Sequence, residues 1–247
     1  LLRSVDMWLP PALLGAADTE LHLLLRNTGG LPLSWSVRYP TEMELQIEHW
    51  ADVGEPTAAE LKQHMIVDKG IISVAPKRGE LAVGGSVRVS VRLRHVRADD
   101  YELPLLLQVA SGKQLVLNVH GRTLAPGEAY AHTPIRDVAL PHTPLGLPEP
   151  VRATYELPNY SDVPLPWSLD CAELDALTAR NFDFKVLSCE ADSGVVPPGG
   201  VARIPLLFHP LEARTYSAVV ALAVGAAARG AADQPDGLGA AGGSGGT

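Results

Sequence analysis

Eight histidines, two cysteines and two glycine-rich stretches are the residues of this chain whose types and spacing could do chemistry. A zinc hydrolase needs three protein ligands at fixed spacing, commonly two from one helix in H-E-x-x-H. The histidines stand at 22, 49, 64, 95, 120, 132, 142 and 209, and no two of them form H-x-H or H-E-x-x-H. His49 with Asp52, and His64 with Asp68, are the pairs from which a metal or acid/base site could start. Spacing supplies neither with a third ligand or a nucleophile. Cys171 and Cys189 lie 18 residues apart, too few ligands for zinc and too close for a disulfide joining two stacked sheets. They are expected to be reduced, buried thiols of an intracellular protein. Residues 237–242 read G-x-G-x-x-G and residues 242–246 read G-x-S-x-G. Both motifs need a strand before them and a helix after, and neither can be built in a tract of Gly, Ala and Ser. No catalytic residue, metal ligand or cofactor is therefore expected, and the chain reads as a non-enzyme.

The pattern that does carry information is a duplication. Asn27, Pro32, Leu33, Trp35 and Ser36 recur at a constant offset as Asn159, Pro164, Leu165, Trp167 and Ser168. Gly79, Gly84, Gly85, Arg88, Ala98 and Tyr101 recur at a second offset as Gly194, Gly199, Gly200, Arg203, Ala213 and Tyr216. Two copies of one domain are present, an architecture suited to spacing and contact. The 247 residues are enough for two domains with cores of their own. We expect a first domain over 1–122, a linker at 123–133, a second domain over 134–224 and a low-complexity tail at 225–247.

The elements follow from periodicity. Residues 86–94 read S-V-R-V-S-V-R-L-R, placing Val87, Val89, Val91 and Leu93 on one face of a half-buried strand. Further strands are expected at 4–7, 20–26, 33–38, 71–74, 101–108 and 113–119 in the first copy. In the second they fall at 135–140, 151–157, 165–170, 182–188, 201–208 and 215–224, with no counterpart of the first copy's last strand. The tail is too poor in apolar residues to order itself, so that strand should come from beyond it or from a partner. Without it, the second domain is expected to aggregate or misfold, since 215–224 would expose unpaired backbone. Pro205 implies an edge position, a bulge or a strand end.

Between Trp35 and Gly79 lie 44 residues, against 27 between Trp167 and Gly194, so the first copy carries a helical insert near 48–69. Thr57 and Glu60 form a capping box ahead of a helix over 58–67 that places Leu61, His64, Met65 and Val67 on one face. A shorter helix is expected over 171–180. Both should lie between the third and fourth strands of their copy.

Net charge is −8, which disfavours nucleic acid and the acidic tubulin surface as main partners. The longest apolar run, 216–228, is too short to cross a bilayer as a helix. The opening Leu1-Leu2-Arg3 has no signal-peptide pattern and reads as the start of a segment of a longer polypeptide.

These residues resemble the Ig-like ASH family, named for ASPM, SPD-2 and Hydin and related to major sperm protein domains. The resemblance spans roughly residues 20–224. It rests on Asn27, Trp35, Pro76 to Gly79, Gly84-Gly85 and Tyr101 in the first copy. In the second it rests on Asn159, Trp167, Gly194, Phe208-His209-Pro210 and Tyr216. The first copy has Leu93-Arg94-His95 where the family has F-x-P, and the second has Ala191 where the Pro of P-x-x-G belongs. The resemblance implies an all-β fold of two tandem Ig-like sandwiches, each with a short helix in a loop. The tryptophans should fill the space between sheets, the tyrosines anchor strand entries, the asparagines satisfy turn backbone and the glycines supply tight turns.

Tandem repetition resembles Hydin-like cilia- and flagella-associated proteins. It implies a non-catalytic scaffold of the axoneme, in the ciliary central apparatus, with other axonemal proteins as partners. Candidate contacts are the basic stripe Arg88, Arg92, Arg94 and Arg97, the strand edges, and Trp50, Leu61 and Met65 of the insert. Deleting 48–69 is expected to cost a partner and spare the fold. The alternative is an adaptor of the major sperm protein type, binding acidic peptides at a cytoskeletal or membrane-contact site.

Overall fold

The computed structural model describes residues 3–42, 55–110, 114–133 and 135–225. His49, Trp50, Asp52, the first part of the insert and the expected tail after Gly225 lie outside the described residues. The chain divides into two units, one of residues up to 128 with 160–162, the other of 129–159 and the residues from 163 on.

The first unit holds strands β1 (Arg3–Trp8), β2 (Ala12–Leu13), β3 (Thr19–Arg26), β4 (Leu33–Arg38) and helix α1 (Ala58–Asp68). Strands β5 (Ile72–Ala75), β6 (Arg78–Leu81), β7 (Ser86–Leu93), β8 (Asp99–Val109) and β9 (Gln114–Leu124) follow. One sheet runs β1-β9-β8-β4-β6, with β2 also on β9, and the other runs β3-β7-β5. Alternation places the side chains: Val89, Val91 and Leu93 of β7 pack in one core with Tyr101, Leu103, Leu105, Leu117 and Val119 of the other sheet. Trp35 and Val37 of β4 complete it.

The second unit contains β10 (Val151–Pro158), β11 (Leu165–Asp170), α2 (Ala172–Arg180), β12 (Leu187–Cys189), β13 (Ser193–Val196), β14 (Val201–Phe208) and β15 (Ala221–Val224). Its sheets are β10-β14-β12 and β13-β11-β15, around Leu157, Leu165, Trp167, Val196 and Ile204. The all-β reading, the two sandwiches and the loop helices are as expected.

The repeated asparagines are buried clamps. Asn27 Nδ2 donates to the carbonyls of Leu31, Leu81 and Ala82 at 2.8, 3.2 and 3.2 Å. Asn159 Nδ2 donates to Val163, Val196 and Pro197 at 2.8, 3.1 and 3.2 Å. Each clamp ties the turn between two strands of different sheets to the end of a third strand. Tyr101 is buried, its hydroxyl donating to the Arg97 carbonyl, and the half-buried Tyr216 repeats this bond to Glu212 at 3.4 Å. Phe208 meets the Tyr216 ring edge-on at 6.0 Å, beside the buried Pro210.

Several expectations need correction. Gly84 and Gly199 take positive φ in turns, but Gly79 and Gly194 sit inside strands β6 and β13, which the sequence reading missed. They are directly opposite Trp35 and Trp167, and a Cβ would lie 3.3 Å from Trp35 Nε1 and 2.9 Å from Trp167 Nε1. Glycine is there so that the indole can lie against the backbone. Residues 182–188 form only the short β12, because Phe182 and Asp183 take left-handed φ of 58° and 59°. Residues 215–224 yield only β15. Residues 135–140 form no strand. At the repeat offset they match β1, whose partner is β9, and no described strand takes the place of β9 in the second unit. Consequently α2 follows the second strand of its copy, and the short β2 puts α1 after the fourth strand of its own, so neither helix follows the third. Pro205 lies in the central strand of its sheet, opposite Thr154. Its carbonyl accepts from Glu190 N just past the last β12 pair, so its missing N–H falls where that ladder ends.

The indole contacts set an order of sensitivity. Gly194→Ala should destabilise its unit by about 1–3 kcal/mol, and Gly79→Ala by less, since its gap is wider. Thermal unfolding of the two variants checks this, and equal effects would contradict the close-approach account.

Candidate functional site

The side chains available for contact are those the sandwiches do not consume. β7 is the middle strand of β3-β7-β5, and its even-numbered residues point away from the core. Arg88, Arg92, Arg94 and Arg97 are all exposed, as expected of the stripe, but they are not equivalent. Arg92 is opposite Glu20 and bonds it at 2.7 Å, with Asp18 at 4.0 Å, so its charge is answered within the sheet. Arg88 is opposite Leu24 and, among the described residues, forms no ion pair. Arg94 follows the strand end, its N–H donating to Ile71 O at 2.8 Å, and Arg97 lies in the next turn. The structure adds Arg26, exposed and opposite Ser86, hence diagonal to Arg88. Arg26 ends a different strand and is distant from Arg88 in sequence, so only the β3–β7 register brings the two together.

Helix α1 begins as its capping box requires. Thr57 Oγ1 accepts from Glu60 N at 3.3 Å, and Glu60 Oε2 accepts from Thr57 N at 2.7 Å. The Thr57 N–H, and the Thr57 hydroxyl donating to the same oxygen at 2.9 Å, hold the exposed Glu60 carboxyl below its ordinary range. The expected face is wrong by one residue, however. Ile66 is the fully buried residue, Met65 and Val67 pack against the same core, and Leu61 and His64 are exposed. Ile71 N bonds Ile66 O at 2.9 Å, and Lys62 Nζ bonds Asp99 Oδ1 of β8 at 2.8 Å. Burial raises the Asp99 carboxyl, and the Lys62 bond and charge outweigh it, leaving the group lowered. The helix is thus part of the sandwich. Met65 is a core contact, Leu61 remains a surface candidate, and deletion of 48–69 would open the core, contrary to expectation.

The groups that could do chemistry are occupied or dispersed. Cys171 and Cys189 are half-buried neighbours, and burial pushes the Cys189 thiol up to about 11, away from the reactive thiolate. His95, at the position of Pro210 in the second copy, is buried and bridges Thr123 Oγ1 at 2.9 Å and Thr19 Oγ1 at 3.2 Å, joining the two sheets. Burial lowers its pKa, the charge of Asp18 acting the other way, and burial likewise lowers that of His132. Among the described residues no three His, Cys, Asp or Glu side chains gather as a metal site. No helix among them is long and apolar enough to cross a membrane.

In the second unit β15 pairs with β11 along one side only, among the described residues. In the first unit the matching strand, β8, carries β9 on that side. Ile135 and Val138, in the segment matching β1, are 63% and 40% exposed. The second sandwich is thus open along one edge among these residues.

Fold and surface together define a tandem pair of Ig-like β-sandwiches whose repeated asparagines, tryptophans and glycines serve structure. Comparison with known proteins narrows this. Family models described as "Cilia- and flagella-associated protein 65-like, Ig-like domain" match residues 2–121 and 123–232. The chain belongs to that family, so the expected cilia- and flagella-associated group holds, with this family in place of the Hydin-like one. Cilia- and flagella-associated protein 65 of Homo sapiens is 31% identical over 202 residues, covering 82% of this chain and 10% of the relative. The protein of the same name from Chlamydomonas reinhardtii is 31% identical over 217 residues, covering 86% and 10%. The chain thus spans about a tenth of the length of these relatives. Among solved structures, the ASH / PapD-like domain of human CEP192 (PapD-like domain 7) is similar at 18% identity and TM-score 0.35, over 50% of this chain and 83% of that one.

Two outcomes follow. Ile66→Ala should cost about 2–5 kcal/mol of stability and Leu61→Ala under about 0.5, as cavity formation and surface truncation differ. Chemical denaturation of both variants measures this, and a mild Ile66→Ala would return the helix to an appendage. The depressed histidines set the second. The unfolded chain takes a proton near the ordinary value of 6.5, while folded His95 resists it. Stability is therefore full above 6.5 and lost as pH falls below it. Melting temperature should drop between about pH 7 and 5, and His95→Gln should flatten that slope. An unchanged slope would mean His95 is not the group responsible.

Proposed function

We propose that this segment is a non-catalytic structural module of a ciliary protein, holding neighbouring axonemal proteins through sheet faces, strand edges and the exposed side of α1. The observation that carries the reading is that both domains belong to one family of cilia- and flagella-associated Ig-like domains. A fold whose repeated residues are spent on clamps, turns and core, with its thiols held protonated, fits such a role. Each sandwich presents faces and edges of its own, which suits an axonemal scaffold. Within the axoneme we favour the central apparatus.

Proximity labelling from the full-length protein in motile ciliated cells tests this. Enrichment of central-apparatus proteins, with the tagged protein retained in detergent-extracted axonemes, is the expected result. Enrichment of membrane-contact or centrosomal proteins would overturn it.

A further inference from the structure

The duplication provides an internal control for the basic face. The two copies align Leu24 with Glu156 and Arg88 with Arg203, and each pair lies directly opposite across the strands: Leu24 with Arg88 on β3 and β7, Glu156 with Arg203 on β10 and β14. In the second unit Arg203 Nε meets Glu156 Oε1 at 3.2 Å. In the first unit the carboxylate is replaced by a leucine that is 71% exposed. Arg88 is left without an anionic partner among the described residues, and exposed Arg26 stands diagonal to it.

The rest of that face sharpens the contrast. Glu20, His22, Leu24 and Arg26 of β3, and Ser86, Arg88, Ser90 and Arg92 of β7, point outward; Ser73 and Ala75 do so from β5. Glu20 is the single carboxylate in this set and bonds Arg92. His22 Nδ1 lies 2.9 Å from Ser90 Oγ. One end of the face is thus internally neutralised, while the other presents two guanidinium groups around an uncovered apolar side chain.

We propose that this end of the β3-β7-β5 face docks an acidic polypeptide segment, its carboxylates on Arg26 and Arg88 and an apolar side chain on Leu24. Guanidinium groups bind carboxylates in paired, geometrically specific bonds, and Leu24 adds apolar area that a bare polyanion would not use. The net charge of −8 on the whole chain works against extended polyanions such as nucleic acid, so a short acidic segment fits better. The proposal deepens the scaffold reading by naming the chemistry of one neighbour, and rests on it only in taking that neighbour to be a protein.

The test uses the 247-residue chain and a fluorescein-labelled peptide of alternating glutamate and leucine, read by anisotropy at low and at physiological salt. The wild type should bind it and release it as salt rises. Arg88→Gln and Arg26→Gln should each weaken binding about tenfold, and Leu24→Glu should do the same by supplying the internal carboxylate found in the second copy. Arg203→Gln should leave binding unchanged, and circular dichroism should find all four variants folded, since the altered side chains are exposed. The proposal is overturned if the wild type does not bind, if the glutamine version of the peptide binds equally, or if the Arg26, Arg88 and Leu24 variants keep full affinity. Tighter, equally variant-sensitive binding to single-stranded polynucleotide or to phosphatidylserine vesicles would overturn it as well. Because the assay is independent of cellular location, its failure and that of the ciliary reading are separately visible.

Discussion

Three hydrogen bonds from one buried amide hold each sandwich shut at one end. In the first unit the amide leaves the end of β3, in one sheet, and reaches carbonyls in the turn before β4 and at the end of β6, in the other. The second unit repeats the arrangement with distances equal to within 0.1 Å. The Ala82 and Pro197 carbonyls also accept from Gly85 N and Gly200 N within the turn, so the amide adds to bonds the turn already makes, and each such buried hydrogen bond contributes about 1 kcal/mol. The clamp therefore fixes where the turn closes, and with it the register that sets Trp35 opposite Gly79 and Trp167 opposite Gly194. Core packing follows from the register, and the outward faces from the core.

That dependence explains what could be read from the chain. Strict alternation in 86–93 needs no tertiary knowledge, and the capping box of Thr57 and Glu60 is local by nature, so both elements were legible. Strands β6 and β13 were not, because Gly79 and Gly194 read as breakers until the indole beside each is known. Residues 135–140 have a strand's sequence, but a strand is a pairing, and β1 pairs in parallel with a segment more than a hundred residues away. For Pro205 an edge, a bulge and a strand end stayed open, because the sequence does not tell on which side of a central strand the ladder stops.

The candidate surface was legible only in part, for a related reason. Arg88 and Arg92 look alike on a strand of period two, and their difference is set by what the neighbouring strand places opposite them. Glutamate opposite one and leucine opposite the other is a property of register. The same holds for Arg26, which joins the face diagonally. Helix α1 was recognised as a helix, but a shift of one residue decides whether Ile66 or Leu61 faces the core. Amphipathic pattern alone leaves that open in a helix whose apolar residues do not fall on one clean stripe.

A duplicated domain separates the residues that make the fold from those that do something with it. Asn27 and Asn159, Trp35 and Trp167, Gly79 and Gly194 repeat because each sandwich must solve the same closure problem. Where the copies differ at buried positions, as with His95 and Pro210, both solutions fill the same place in the interior. Differences at exposed positions have no such constraint. Replacing the glutamate that answers an arginine by a leucine uncovers apolar area and a charge together, and an exposed pair of this kind contributes little to stability in either form. Stability therefore does not select between Leu24 and Glu156, and the proposed docking segment is a constraint on that face independent of folding.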